Sequence, residues 1–152
     1  MPSIRIHGTE LPYNLSDTVT FEEGLIGLPK LRRMVIVRRS DISPFLWFAS
    51  LGDQDAAFLV VNPAELFPDY RPSLTEELRV RIGVTSGQPP LVLAIASIDN
   101  DWEKSTVNLR APLFINPDQM RGAQAALVGS SYKLNEPLPA CVEPKPAGGS
   151  NT

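Results

Sequence analysis

The sequence predicts an all-β protein: a small antiparallel β-barrel-like single domain with one or two short helical turns. Three observations lead there. Prolines and glycines, 15 and 10 of them in 152 residues, interrupt nearly every segment. The apolar runs between them last about four to eight residues, a length that suits strands better than helices. Turn residues follow these runs closely, as in barrels and sandwiches.

The elements follow in order. Residues 4–7 and 18–21 are expected strands, followed by Gly24-Leu25-Ile26-Gly27, where Gly24 and Gly27 permit a positive-φ turn. Strands over 34–37, 46–51 and 57–61 come next, then a turn over 63–67 that stops before Pro68. Ser73-Leu74-Thr75-Glu76 fits a capping box, and Glu76-Glu77 suits the positive end of a helix, which allows one or two helical turns. Leu78 to Val84 alternates apolar and polar, so residues 78–85 read as a strand with one wet face. Residues 91–98 do not alternate and are expected to form the most buried strand, covered on both faces. Residues 106–110 and 113–115 read as two extended pieces joined at Pro112, because Pro cannot donate to a ladder. A last strand is expected over 123–128. From Asn135 the chain is rich in Pro and Gly, with few apolar groups to offset an ordering cost of roughly 1–2 kcal/mol per residue. The expected division is therefore a barrel domain over 1–134 and a flexible tail over 135–152.

Composition narrows the function. Hydrophobic residues make up 43% and charged residues 20%, an ordinary balance for a soluble globule. No apolar stretch reaches the length of a membrane span, and the opening Met1-Pro2-Ser3-Ile4-Arg5 lacks a signal peptide's apolar segment. One cysteine cannot form an internal disulfide, which agrees with a cytoplasmic location. The net charge is −3, and the densest basic spots are only Arg32-Arg33 and Arg38-Arg39. A nucleic-acid binder needs a basic stripe to collect phosphates, so RNA or DNA is not expected as a direct ligand.

No residue set supports catalysis. His7 and Cys141 are the single histidine and cysteine, lie near opposite ends, and cannot furnish a zinc site. There is no Gly-x-Ser-x-Gly elbow and no phosphate loop. The Gly24–Gly27 spacing is that of an RNA-clamping G-x-x-G, but Glu22-Glu23 and Pro29 are wrong flanks for it. Asp53-Gln54-Asp55 and Asp99-Asn100-Asp101 read as hairpin tips; position twelve after Asp99 is Arg110, not the glutamate of a calcium loop. No metal and no cofactor are expected.

Four blocks, in register, resemble one known family. Thr106-Val107-Asn108-Leu109-Arg110-Ala111-Pro112-Leu113-Phe114-Ile115-Asn116 is similar to the T-V-N-L-x-A-P-I/L-x-I-N signature of the flagellar assembly factor FliW family. Phe21-Glu22-Glu23-Gly24-Leu25-Ile26-Gly27-Leu28 resembles its F-x-x-G-I/L-x-G-F/L opening. Pro44-Phe45-Leu46-Trp47-Phe48-Ala49-Ser50-Leu51 resembles its P-F-x-x-L-Q-S block. Phe58-Leu59-Val60-Val61-Asn62-Pro63 with Asp69-Tyr70 resembles its F-x-V/L-x-x-P…D-Y block. The resemblance implies a small antiparallel β-barrel-like fold. It further implies a protein that binds CsrA, the dimeric repressor that covers the ribosome site of flagellin mRNA, and that also binds flagellin. Binding of CsrA would release the mRNA, and flagellin would in turn free CsrA. A chaperone-like role toward flagellin is also implied.

Within that reading the partner-binding candidates are Phe45, Trp47, Phe67, Tyr70, Arg110 and Pro112, apolar, planar or charged groups in turn-rich motif blocks. They suit an amphipathic partner helix laid in an apolar groove. Tyr70 has two readings, partner anchor or buried ring closing the barrel. Arg110 either faces solvent or pairs with a partner carboxylate. Asn108 and Asn116 are expected to hydrogen-bond loop backbone around the Pro112 step. A monomer is expected. The competing class is a small-ligand or enzymatic barrel, which would need polar groups converging in its interior. The charge balance yields a first expected outcome: in a gel-shift titration near physiological salt the protein leaves flagellin leader RNA unshifted, and micromolar binding would contradict it.

Overall fold

The computed structural model describes residues 2–52, 56–85 and 87–142. Its strands are β1 (Ser3–Ile6), β2 (Thr9–Pro12), β3 (Thr18–Phe21), β4 (Arg33–Val37), β5 (Leu46–Ser50), β6 (Ala57–Val61), β7 (Leu91–Ser97), β8 (Thr106–Val107), β9 (Leu113–Asn116), β10 (Arg121–Gln124) and β11 (Glu136–Pro137). One α-helix, α1 (Glu76–Ile82), and five short 3-10 turns complete the described residues.

The expected barrel is present. β1 and β2 form a separate hairpin, and the other nine strands share one sheet. A pairing of β7 with β9 closes that sheet into a ring of seven, β7-β6-β5-β4-β3-β10-β9. Six of the seven neighbour pairs are antiparallel, and β3 with β10 is parallel. The parallel pair is a matter of parity: directions cannot alternate all the way round an odd ring. β8 and β11 extend the sheet beyond the ring from the far end of β7.

Strand alternation sorts the core. Met34 and Ile36 of β4 point into the barrel with Phe21, Phe48, Val60, Leu93, Leu113 and Ile115. Phe21 and Phe48 meet edge to face, 5.7 Å between centroids. Val35 and Val37, on the opposite face of β4, are covered by Ile6 and Leu11 of the β1–β2 hairpin. The barrel interior is thus filled by apolar side chains. A second cluster joins Phe45, Val61, Tyr70, Ala94, Leu109 and Leu138 outside β6 and β7. A third seats Ile82 of α1 on Phe114, Ala123 and Ala125.

Several expectations are corrected. The strand expected over 78–85 is α1, with Thr75 Oγ1 accepting from Leu78 N at 3.2 Å in place of a cap by Ser73. Leu78 and Ile82, four residues apart, pack inward while Val80 is 70% exposed, so the helical period prevails over the alternation. Gly83 ends the helix at φ +78, where its N–H reaches the carbonyls of Arg79 and Val80. The most buried strand is β9, all four of whose residues are buried, rather than β7; β9 has the barrel on one side and α1 on the other. The hairpin partner β2 had no signal in the sequence reading.

The tail expected from Asn135 is corrected at its start. Glu136 and Pro137 pair with Val107 and Thr106, and Leu138 is buried in the second cluster. Trp102 Nε1 donates to Pro139 O at 3.2 Å. One leucine and a two-residue ladder give this segment the burial that its composition concealed; residues 143–152 lie outside the described residues. Leu138→Ala should accordingly cost about 2–4 kcal/mol of stability, read as a lower denaturation midpoint at unchanged slope. An unchanged midpoint would show that the segment does not hold the barrel.

Candidate partner-binding site

The eleven-residue block at 106–116 is one strand broken in the middle. Four residues of β7, Ala96 to Leu93, face seven of the opposing chain, Val107 to Leu113. The surplus forms an excursion over 108–112 whose backbone groups find partners elsewhere. Asn108 N still donates to Ile95 O, at 2.9 Å. Asn108 Oδ1 accepts from both Arg110 N and Ala111 N at 3.0 Å, which folds the chain back on itself. Leu109 N donates to Lys133 O, while the carbonyls of Arg110 and Pro112 accept from Leu127 N and Ala125 N. Pro112 is buried and supplies only a carbonyl, so its missing N–H costs nothing here.

Tyr70 locks the excursion. Its hydroxyl donates to Leu109 O at 2.6 Å, and its ring meets Tyr132 edge-on at 4.6 Å. Burial, and after it the neighbouring Tyr132 phenol, raises the Tyr70 pKa above the ordinary 10.0. Phe45 lies in the same cluster and meets Trp102 at 6.4 Å, with Phe67 packed against its edge. Phe45 and Tyr70 are 1% and 5% exposed: their rings face the interior, where Pro112 joins them, and of the two readings of Tyr70 the structure has the buried ring. Trp47 is half-buried under the hairpin, its ring 5.3 Å from that of His7. Phe67 is half-buried and Arg110 is exposed.

The remaining motif residues serve backbone geometry. Asn116, fully buried, donates from Nδ2 to Ile82 O at 2.9 Å and accepts from Asp118 N at 3.0 Å, which ties the end of α1 to β9. Gly24 adopts φ +72, and a Cβ there would sit 2.5 Å from Pro29 O. Gly27 adopts φ +78 in open space. The six partner candidates are thus spread over the interior, the hairpin face and the excursion.

A groove does lie elsewhere, beside α1, away from the six partner candidates. Thr75 at the N-cap of α1, with Leu78 and Arg81 on the helix, spaced three apart, faces β10 and its continuation. Two hollows of about 570 and 320 Å³ lie along this line and meet at Gln124. The larger runs beside residues 124–130, with Arg71 and Tyr132 at its edge. The smaller is bordered by the Gly24–Gly27 turn. Reading 78–85 as a strand removed the helical wall and hid the groove.

The locked excursion makes a measurable demand. Tyr70→Phe leaves the buried Leu109 carbonyl without its donor and should cost about 1–3 kcal/mol. The phenol stays neutral in the fold but ionises near pH 10.0 when unfolded. Its contribution is therefore complete below about pH 10 and declines as pH rises further. Wild-type stability should fall more steeply than that of Tyr70→Phe between pH 9.5 and 11 in parallel denaturant titrations; parallel curves would contradict this.

Comparison with known proteins agrees with the fold and the motif blocks. The family model described as FliW protein matches residues 5–138. A flagellar assembly factor FliW of Caldicellulosiruptor bescii is 38% identical over 130 residues, covering 86% of this chain and 84% of the relative. One from Symbiobacterium thermophilum is 37% identical over 127 residues, covering 82% and 91%. A crystal structure of the flagellar assembly factor FliW superposes with a TM-score of 0.80 at 24% identity, over 91% of this chain and 98% of that one, and so shares the fold. With a continuous match across the barrel and relatives well above 30% identity, this chain belongs to the FliW family.

Proposed function

We propose that this protein binds the translational repressor CsrA and flagellin in exchange for one another, and so matches flagellin synthesis to its export in the cytoplasm. The observation that carries the reading is the family match over residues 5–138, to relatives named flagellar assembly factors. Charge supplies a mechanism. A repressor of mRNA must present cationic edges to phosphates. A partner of net charge −3 docked beside such an edge lowers the local potential and weakens RNA binding without occupying the RNA site. Of the candidate contacts, Trp47, Phe67 and Arg110 keep accessible surface, and Arg110 is suited to a partner carboxylate. A packed apolar barrel favours this binding role over a small-ligand or enzymatic one.

By linkage, each partner weakens the other's apparent affinity by the same factor. A three-component assay with labelled flagellin leader RNA, CsrA and this protein tests the exchange. Adding the protein should release RNA, and adding soluble flagellin should restore the RNA complex. Simultaneous full-strength binding of both partners would defeat the exchange and leave only a chaperone role.

A further inference from the structure

We propose that residues 136–142 are the internal occupant of a peptide seat along the outer edge of β8, and that a basic, leucine-bearing extended segment of another protein takes that seat in their place. This goes beyond the exchange reading and does not rest on it, because it concerns a site and the chemistry of its ligand, whichever protein supplies the segment.

The seat is defined by what already lies in it. Glu136 and Pro137 run antiparallel to Val107 and Thr106. On either side of that pair, Leu109 N donates to Lys133 O at 3.0 Å and Leu138 N donates to Ser105 O at 3.1 Å. Trp102 Nε1 holds the carbonyl of Pro139. The Leu138 side chain is buried in the cluster of Phe45, Tyr70, Val107 and Leu109. An extended chain is thus offered a row of main-chain partners, one apolar hole, and an indole donor one residue past the side chain that fills it.

The occupant is separable from the barrel. The ring of seven closes through β7 and β9, so its ladders do not need β11 or the outer edge of β8. The connection through Lys133, Leu134 and Asn135 is exposed. A foreign strand has to replace this segment, because it cannot be added outside it. Ladder bonds alternate along an antiparallel strand, and the bond from Leu138 to Ser105 puts the nitrogens of residues 137 and 139 on the far side. Both are prolines, so the outer edge lacks those donors and the sheet stops there.

Charge gives a foreign segment its margin. Asp99, Asp101 and Glu103 surround Trp102 in the chain, are exposed, and form no salt bridge among the described residues. Lys104 is the only cation within residues 99–104, and Leu138 to Val142 bring no charge to this rim. A lysine or arginine shortly after the seated leucine adds an attraction that the internal segment lacks.

The test uses the full chain and two synthetic octapeptides, residues 135–142 with Cys141→Ser, alone or with Ala140→Lys. Leu138→Ala protein, whose own segment is weakened, should bind both and melt higher in their presence. The lysine peptide should bind about fivefold tighter, a difference that shrinks at high salt. Wild type should bind each about tenfold more weakly than Leu138→Ala does, because its tethered segment competes. In wild type alone, the Leu138 amide should exchange hydrogen about a hundredfold faster than the ring amides of Val35 and Val60. Equal exchange rates would mean that the segment opens only with the barrel, and would overturn the proposal. So would peptides that leave Leu138→Ala unaffected; if that variant does not fold, exchange and peptide binding in wild type decide. Equal affinity for the two peptides removes the basic partner, and a wild-type dimer dispersed by peptide assigns the seat to a second copy of this chain; either result overturns the proposal.

Discussion

Much of this structure depends on one break in a strand. β7 offers a single edge that two different pieces of chain have to share, β9 over Leu91–Leu93 and β8 over Ala96–Ser97. An unbroken hairpin would carry the whole returning strand along β7 in one register. The three surplus residues between Val107 and Leu113 release β9 to close the seven-stranded ring, while β8 stays behind to receive β11. Barrel closure and the anchoring of the chain through Leu138 are thus two consequences of one irregularity.

An irregularity of that kind persists only if its backbone is satisfied away from water. The partners come from widely separated positions: Tyr70 from beyond β6, Lys133 from before β11, Ala125 and Leu127 from the continuation of β10. The excursion therefore couples distant parts of the chain by direct hydrogen bonds. It also holds residues 125–127 firmly on one side, where the N–H groups of Ala125 and Leu127 donate to Pro112 and Arg110.

Ion pairs contribute to a different property. Arg81 lies between Glu23 and Glu77, and Arg121 reaches Glu22 at 3.0 Å, linking α1, the glycine turn and β10 around the smaller hollow. All have substantial exposure, so each is worth at most about 1 kcal/mol. Stability rests on the buried clusters, and the surface charges mainly shape the potential that a partner meets, with paired charges at one end of the groove and Arg71 at the other.

What the sequence determined by itself was the class of fold, most strands and the motif blocks. Residues 18–21 and 57–61 were recoverable to the residue because short β-branched and aromatic runs between turns carry their own period. The pairing of Asn108 and Asn116 with loop backbone follows from local chemistry, and both side chains do bond to nearby main chain. Only the tertiary structure decided α1, because Leu78, Val80 and Ile82 alternate like a strand while Leu78 and Ile82 alone also fit a helical face, and the surface over Phe114 and Ala123 selects the helical period. It alone placed Leu138 in a core, since one leucine among prolines reads as solvent-exposed until β8 lies beside it. It also turned Phe45 and Tyr70 inward, and it created the groove by setting α1, from the middle third of the chain, beside β10 and its continuation in the last third. Local period and turn chemistry are properties of neighbours in sequence; burial is a property of neighbours in space.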